Sequence, residues 1–169
     1  HENDLVMVDR ETGSYWWQVP GRAIVGELSG TSLTPLVSET ATWSSWRQRH
    51  PETVVLARLP GRDYSRDPFV SYAETVDSGR TPFPVDPDVL ADDRLTPATS
   101  VIVAESGGEV RAWPVAPERT VVDEVAGIAV EVVTDGVGGR VTADGVPQGV
   151  RTSFWFAIVA SFPEVTVGP

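Results

Sequence analysis

The stretch NDLVMVDRETGSYWWQVPGRAIVGEL, residues 3–28, contains three strand-like runs separated by two turns. Apolar side chains alternate at Leu5 and Met7, and again at Tyr15 and Trp17 beyond the first turn, which is the period of a half-buried strand. Gly13 lies in that first turn, where a residue without a Cβ can adopt a positive φ. The dipeptide Pro20-Gly21 provides the second turn. The stretch therefore predicts a β-meander.

Two adjacent tryptophans, Trp16 and Trp17, lie on the middle run of this meander. Neighbouring side chains on a strand point to opposite faces of the sheet. We therefore expect one of the two indoles to lie outside the inner face of the sheet, against another element or a partner.

The rest of the chain reads as short strands with a few short helices. Thr42 is a suitable N-cap for a helix that Pro51 ends, and a second apolar helix is expected near Ser153. The turn Ser106-Gly107-Gly108 predicts a hairpin. Further strands are expected at 33–37, 52–56, 99–104, 109–114, 120–125, 128–133, 140–143 and 165–167.

These patterns predict a mainly β fold (α+β with few short helices), built from antiparallel meander and hairpin sheets. At 169 residues we expect a single domain, 1–169. It divides into a first sheet unit (1–58), an irregular segment rich in proline and glycine (59–98), and a second sheet unit (99–169).

An internal repeat is indicated by the two helix–Pro–strand units. When Pro51 is aligned with Pro163, Trp43 falls on Trp155 and Glu52 falls on Glu164. Two copies of one unit would pack in similar ways. We therefore expect Trp43 and Trp155 to be buried in comparable environments.

The composition excludes several classes of function. The net charge is −11, all thirteen basic residues are arginine, and such an acidic chain lacks the basic face that binds nucleic acid. An acidic surface without lysine favours a halophilic or high-GC source. No apolar run approaches the length of a transmembrane helix, so we expect no membrane insertion by these residues. The chain begins at His1, and we expect a fragment of a longer protein.

Few residues have the character of a catalytic or metal site. The chain has no cysteine and two histidines, and His50 precedes Pro51 at a helix end, where an imidazolium favours the helix dipole. The acidic residues of 86–93 do not match the spacing of an EF-hand loop. We expect no catalytic residue, no metal and no cofactor in this chain.

The remaining candidate is a loop with two Arg-Asp pairs around a tyrosine. It could bind a polar ligand or a glycan together with an exposed Trp17. The alternative is an internal network of ion pairs that holds an irregular loop to the sheet, and we favour this alternative. The candidate residues are Arg62, Asp63, Tyr64, Arg66, Asp67 and Trp17.

The first stretch resembles a family known as domain of unknown function 3179. The family pattern N-S-x-L-V-M-Y-D-R-x-T-G-S-x-W-S-Q is matched by Asp9-Arg10, Thr12-Gly13-Ser14 and Trp16, among others. Later matches cover nearly the whole chain. They include Thr42-Trp43, His50-Pro51, Arg62-Asp63-Tyr64, Arg66-Asp67-Pro68, Arg111-Ala112-Trp113-Pro114 and Phe154-Trp155-Phe156-Ala157.

The resemblance also implies what this chain lacks. Family members carry an earlier C-P-L-C-G segment, which would precede His1 and would be the part with metal or redox character. The resemblance makes that upstream segment of the same protein the expected partner, and an extracytoplasmic location, secreted or surface-anchored, the expected one.

Three hypotheses about function remain open. The first is a non-catalytic β-rich module. The second is part of an enzyme or a metal/redox protein whose active centre lies upstream, and the third is a polar-ligand or glycan binder that uses the Arg-Asp loop.

Overall fold

Three sheets and four short helices make up the part of the chain that the computed structural model describes, residues 1–63 and 72–169. The N-terminal sheet is the expected meander, with strands β1 (Val6–Val8), β2 (Tyr15–Trp17) and β3 (Arg22–Val25). Its pairs are antiparallel, and Met7 lies opposite Trp16. The helices are α1 (Trp43–Arg49), α2 (Tyr72–Asp77), α3 (Pro87–Leu90) and α4 (Trp155–Ser161).

Two four-stranded sheets follow in the second half of the chain. The strands are β4 (Ser100–Ser106), β5 (Glu109–Pro114), β6 (Arg119–Val125), β7 (Ile128–Thr134), β8 (Gly139–Ala143), β9 (Val146–Pro147), β10 (Val150–Phe154) and β11 (Thr166–Val167). The central sheet has the order β10-β4-β5-β11 and the outer sheet the order β6-β7-β8-β9. Every pair in them is antiparallel except β11 with β5.

Strand β4 is buried on both faces and separates two apolar cores. Val101 and Val103 belong to the core that contains α4, while Ile102 belongs to the core shared with the outer sheet. A strand covered on both sides reads as a continuous apolar run, which explains the sequence SVIVA at this position. The central sheet is therefore the middle layer of the second half.

The predicted fold class is confirmed. The described residues are mainly β with antiparallel meander and hairpin sheets, and the helices are short. The helix expected after Thr42 begins at Trp43, because the Thr42 hydroxyl accepts a hydrogen bond from the Ser45 N–H at 3.1 Å. The helix expected near Ser153 begins at Trp155. No helix in residues 1–63 or 72–169 has the length and apolarity needed to cross a bilayer.

Two predicted strands are wrong. Residues 33–37 and 52–56 form no strand, although Ser32 makes an isolated bridge to Arg22. Pro35 interrupts the first of these segments, and the second has no neighbouring strand among the described residues. A high β-propensity forms a strand only where a neighbour completes the ladder, and here none does.

The expectation of similar environments for the two repeat tryptophans is also wrong. Trp155 is 0% exposed within the core, whereas Trp43 is 49% exposed on a helix that has no buried residue. The helix starts differ as well, because Phe154 gives α4 no side-chain cap. The two units share a sequence pattern but not a packing arrangement, which removes the structural case for a repeat.

Candidate functional site

An open groove of about 900 Å³ lies where the N-terminal sheet meets α2, α4 and β10. Its volume is within the range of ligand-binding clefts, about 300–1,000 Å³. The described residues that line it, called the groove residues below, are His1, Asn3, Asp4, Leu5, Val6, Gln18, Tyr72, Ala73, Pro82, Phe83, Ser153, Phe154, Phe156 and Ala157.

Aromatic rings form much of the groove wall. The Tyr72 and Phe154 rings are 5.6 Å apart between centroids, and the Phe154 and Phe156 rings are 6.4 Å apart. Phe83 and Leu5 are exposed on the groove side of the chain. An apolar wall with large exposed side chains at its rim is typical of a surface that binds another molecule.

Asn3 holds three parts of the groove together. Its side-chain amide donates to the Tyr72 hydroxyl at 2.7 Å, and its side-chain oxygen accepts from the Phe83 N–H at 3.1 Å. Burial raises the pKa of Tyr72, and the nearby Asp4 carboxylate adds to that effect. The phenol therefore stays neutral at physiological pH and serves as a hydrogen-bonding group.

The groove reaches strand β1 at Val6, and one edge of this strand is unpaired in residues 1–63 and 72–169. The Leu5 carbonyl accepts from Gln18 N–H at 3.1 Å, and Asp9 N–H donates to the Ser14 carbonyl at 3.0 Å, so both groups face β2. Backbone groups alternate in direction along an antiparallel strand, so those of Val6 and Val8 point away from β2. Strand β1 has no second neighbour among the described residues, which leaves these groups open to an added strand.

Both indoles of the meander are buried, at 8% exposure for Trp16 and 5% for Trp17. The chain itself thus covers both faces of β2. The Trp16 Nε1–H donates to Asp9 Oδ2 at 3.1 Å, while Trp17 contacts the His1 ring edge-on, with 4.5 Å between ring centroids. Trp17 Nε1 has no hydrogen-bond partner in the described part of the chain. Trp17 therefore lies behind His1 and offers no exposed face for stacking on a sugar.

Of the Arg-Asp loop, the structure describes only Arg62 and Asp63, and both are exposed. Tyr64, Arg66 and Asp67 lie outside the described residues. The hypothesis of a polar-ligand site in this loop and its alternative, an ion-pair network, both remain predictions.

The most specific part of the sequence motif forms a closed hydrogen-bond network around Asp9. Its Oδ1 accepts from the Glu11 and Thr12 N–H groups, at 3.0 and 2.7 Å, and its Oδ2 accepts from the Thr12 hydroxyl at 2.6 Å. The hydrogen bond from the Thr12 hydroxyl, with those from the backbone and Trp16, lowers the pKa of Asp9 to about 2. The carboxylate is saturated with donors from its own turn.

Ser14 extends this network but is not placed as a nucleophile. It is 0% exposed, lies 2.7 Å from the Thr12 hydroxyl, and accepts a hydrogen bond from Leu28 N–H at 3.1 Å. Both histidines are engaged elsewhere, His1 against Trp17 and His50 stacked on Trp46. Without an adjacent base or exposure, the hydroxyl has a structural role in the turn.

Two further Asp–Trp pairs hold the second half together. Asp92 accepts from Trp155 Nε1–H at 3.0 Å and forms an ion pair with Arg94 at 2.6 Å. Asp123 accepts from Trp113 Nε1–H at 2.8 Å and pairs with Arg111 at 2.6 Å. Trp113 is 1% exposed in the core, and its indole N–H also donates to the Asp123 carboxylate of this ion pair.

Two of the acidic residues of 86–93 accept hydrogen bonds from within the chain. Asp86 caps α3, with Oδ1 accepting from Asp88 N–H at 2.9 Å, and Asp92 is taken up by Arg94 and Trp155. Within residues 1–63 and 72–169, no cluster of three or more His, Asp or Glu could hold an ion.

Sequence reasoning missed the groove because its walls come from distant parts of the chain. No local sequence pattern brings Tyr72 or Phe154 to Asn3. The one available signal was the run of three apolar residues at Leu5, Val6 and Met7. Successive side chains of a strand point to opposite faces, so one buried face cannot cover all three.

Comparison with known proteins gives a family but no activity. The model of a family described as "Protein of unknown function (DUF3179)" matches residues 1–149. That range includes β1 with its free edge, the Asp9 network and the Asp123 pair, and it ends before α4. No curated protein and no solved structure matches the chain. Because the family model covers most of the sequence, the chain belongs to this DUF3179 family of proteins of unknown function.

Proposed function

We propose that this chain is a non-catalytic binding module whose groove takes up an extended, apolar polypeptide strand. The observation that carries the proposal is that the groove reaches Val6 of β1, whose outward edge has no partner strand among the described residues. A strand added at that edge would gain backbone hydrogen bonds from Val6 and Val8 and place alternate side chains in the groove.

The residues that line the groove favour an apolar ligand. Leu5, Phe83 and Phe154 offer hydrophobic contact area, and Leu5 and Phe83 are exposed in the free chain. Burial of such surface is the main favourable term in binding, while the backbone hydrogen bonds fix register and direction.

The polar groups of the groove favour binding over catalysis. Asp4 Oδ1 accepts from Leu5 N–H at 2.8 Å and Oδ2 from Val19 N–H at 3.1 Å, so the carboxylate is used within the fold. Asn3 is likewise engaged with Tyr72 and Phe83. A general base needs a proton-accepting group that can reach a substrate, and these groups are already satisfied by the chain.

The experiment is a titration with a short acetylated, amidated peptide of alternating valine and threonine. We expect saturable binding, seen as shifts of the Val6 and Val8 amide resonances and as slower hydrogen exchange at both. The control peptide has the same side chains but is N-methylated at alternate residues on one edge, and it should bind at least tenfold more weakly because it lacks the ladder donors.

Two variants of the protein test the same point. Val6→Pro removes the outward N–H while an edge position tolerates proline, so binding should fall at least tenfold. Val6→Thr keeps the N–H, and its dissociation constant for the peptide should stay within about threefold of the wild-type value. A threefold change is well under the roughly 1.4 kcal/mol of binding free energy that a tenfold change represents. Equal binding of both peptides, or by both variants, would show that the edge is not used.

A further inference from the structure

We propose that the strand bound at the groove is residues 53–57 of a second copy of this chain, so that two copies exchange strands reciprocally. The inference rests on the proposed function and names its ligand. Each chain then carries both an acceptor, the β1 edge, and a donor, the donor segment 53–57 with the sequence TVVLA.

The donor segment is an apolar strand without a sheet. Val54, Val55 and Leu56 are 91%, 71% and 90% exposed. A run that is apolar on successive positions is typical of a strand covered on both faces, and here neither face is covered. Thr53 N–H donates to the His50 carbonyl at 3.1 Å, and no ladder reaches Val54, Val55 or Leu56 among the described residues.

Exposed apolar side chains are concentrated in the half of the chain that holds donor and acceptor. Leu5, Met7 and Val8 are exposed along β1, and Phe83 at the groove rim, in addition to the donor valines. In the second half, the large exposed apolar residues are Val122, Ile128, Val137 and Val146. The exposed apolar side chains of the described residues are thus most numerous on the elements that hold the donor and the acceptor.

Charge favours a copy of the same chain as the partner. The donor segment is uncharged, but residues 43–62 around it carry four arginines and one acidic residue, Glu52, although the whole chain has a net charge of −11. One of these arginines, Arg49, pairs with Glu39 at 2.6 Å. The acceptor strand is preceded by Glu2 and Asp4. Basic residues around the donor and acidic residues beside the acceptor attract each other across an interface.

Reciprocal exchange also gives a closed assembly. If the donor of one copy enters the acceptor of the other, a two-fold axis places the second donor in the first acceptor, and no donor or acceptor remains open. This accounts for both unsatisfied features with one contact. It also protects two aggregation-prone elements, an edge strand and an apolar segment.

The test is sedimentation equilibrium of the chain 1–169 over a wide concentration range, with Val55→Pro and Val6→Pro. We expect a monomer–dimer equilibrium for the wild type. Each variant alone should raise the dimer dissociation constant at least tenfold, because one lacks a donor and the other an acceptor. An equimolar mixture should recover one donor–acceptor contact and form a heterodimer that neither variant forms alone. Val37→Pro is the matched control, since Val37 is also exposed, outside any strand, and outside the donor.

The outcomes separate this inference from the proposed function. If the valine–threonine peptide binds the Val6 edge but the chain stays monomeric at all concentrations, the self-exchange is wrong and the groove takes a different strand. If dimers form but Val55→Pro and Val37→Pro have the same dimer dissociation constant, residues 53–57 are not the donor. Failure of the peptide to bind the Val55→Pro variant, whose β1 edge is not occupied by a second copy, would remove both proposals.

Discussion

Among the described residues, three aspartates accept a hydrogen bond from an indole N–H, and each pair holds a different junction. Asp9 and Trp16 close the first turn, Asp92 reaches Trp155 in α4, and Asp123 joins Trp113 across two strands. Buried tryptophans need a partner for their single donor, and a carboxylate supplies a stronger one than a neutral oxygen.

The Asp123 pair gives a direct test of this role. Burial opposes ionisation of Asp123, but the hydrogen bonds from Arg111 and Trp113 outweigh it and hold the pKa of the carboxyl below its usual value. Asp123→Asn leaves Arg111 without its counter-charge, and we expect the free energy of unfolding to fall by about 1.5–3 kcal/mol. Urea denaturation followed by tryptophan fluorescence measures this loss.

Glu124→Gln is the control for Asp123→Asn. Glu124 is the next residue on β6 and is exposed, so its neutralisation should change the free energy of unfolding by less than about 0.5 kcal/mol. Equal effects of the two substitutions would assign the loss to net charge rather than to the pair.

The ease of predicting such pairs from sequence depends on their separation. Asp9 and Trp16 lie within one quoted motif, and a turn that closes on Gly13 brings them together. Asp92 and Trp155 are 63 residues apart, and only the packing of α4 against the central sheet makes them neighbours. Local patterns contain no information on the second kind of contact.

At the scale of the element, alternation and turn residues predicted those strands that have a neighbour close in sequence. The meander of β1, β2 and β3 and the hairpin of β4 and β5 follow from Gly13, Pro20-Gly21 and Gly107-Gly108. The segment 52–56 has the same propensity but no adjacent partner in the chain. Its ladder, if formed, depends on a non-local strand, which the sequence pattern does not specify.

The two tryptophan helices provide the element-scale prediction. Trp155→Ala should lower the free energy of unfolding by about 3–5 kcal/mol, because its side chain is fully buried in the core. Trp43→Ala should cost less than about 1 kcal/mol, because α1 has no buried residue. Guanidinium denaturation of both variants gives the comparison. Losses of equal size would restore the case for a structural repeat.

At the scale of the whole molecule, the two halves of the chain differ in the amount of buried core that they hold. The second half is a layered arrangement with β4 in the middle, and it holds most of the buried core. The outward edge of β1 and the donor segment lie in the first half, while the groove joins that half to β10 and α4 of the second half.

The acid response of the whole chain follows from its carboxylates. Hydrogen bonds from Thr12, the backbone and Trp16 hold the pKa of Asp9 near 2, below its ordinary value of 3.8. The hydrogen bond from Arg94 lowers the pKa of Asp92 against the opposing effect of burial. Burial opposes ionisation of Asp123 and Asp135, but donors from arginine, tryptophan or the backbone still leave each pKa lowered. A group whose pKa is lowered by folding stabilises the folded state above its unfolded pKa, and that contribution is lost as the pH falls towards the folded pKa.

Overall repulsion acts in the opposite direction over a different pH range. From pH 7 towards the isoelectric point near 4.5, protonation reduces the negative charge and its self-repulsion. We therefore expect the thermal midpoint to stay level or rise between pH 7 and about 4.5, and to fall steeply between about pH 4 and 2. Differential scanning calorimetry at constant ionic strength measures the curve. Asp9→Asn should lower the thermal midpoint at pH 7 and make its fall below pH 4 shallower. The control is Glu11→Gln, whose exposed side chain lies outside the network, and it should leave the dependence of the midpoint on pH unchanged. A midpoint that is constant from pH 4 to pH 2 would contradict a stabilising role for these carboxylates.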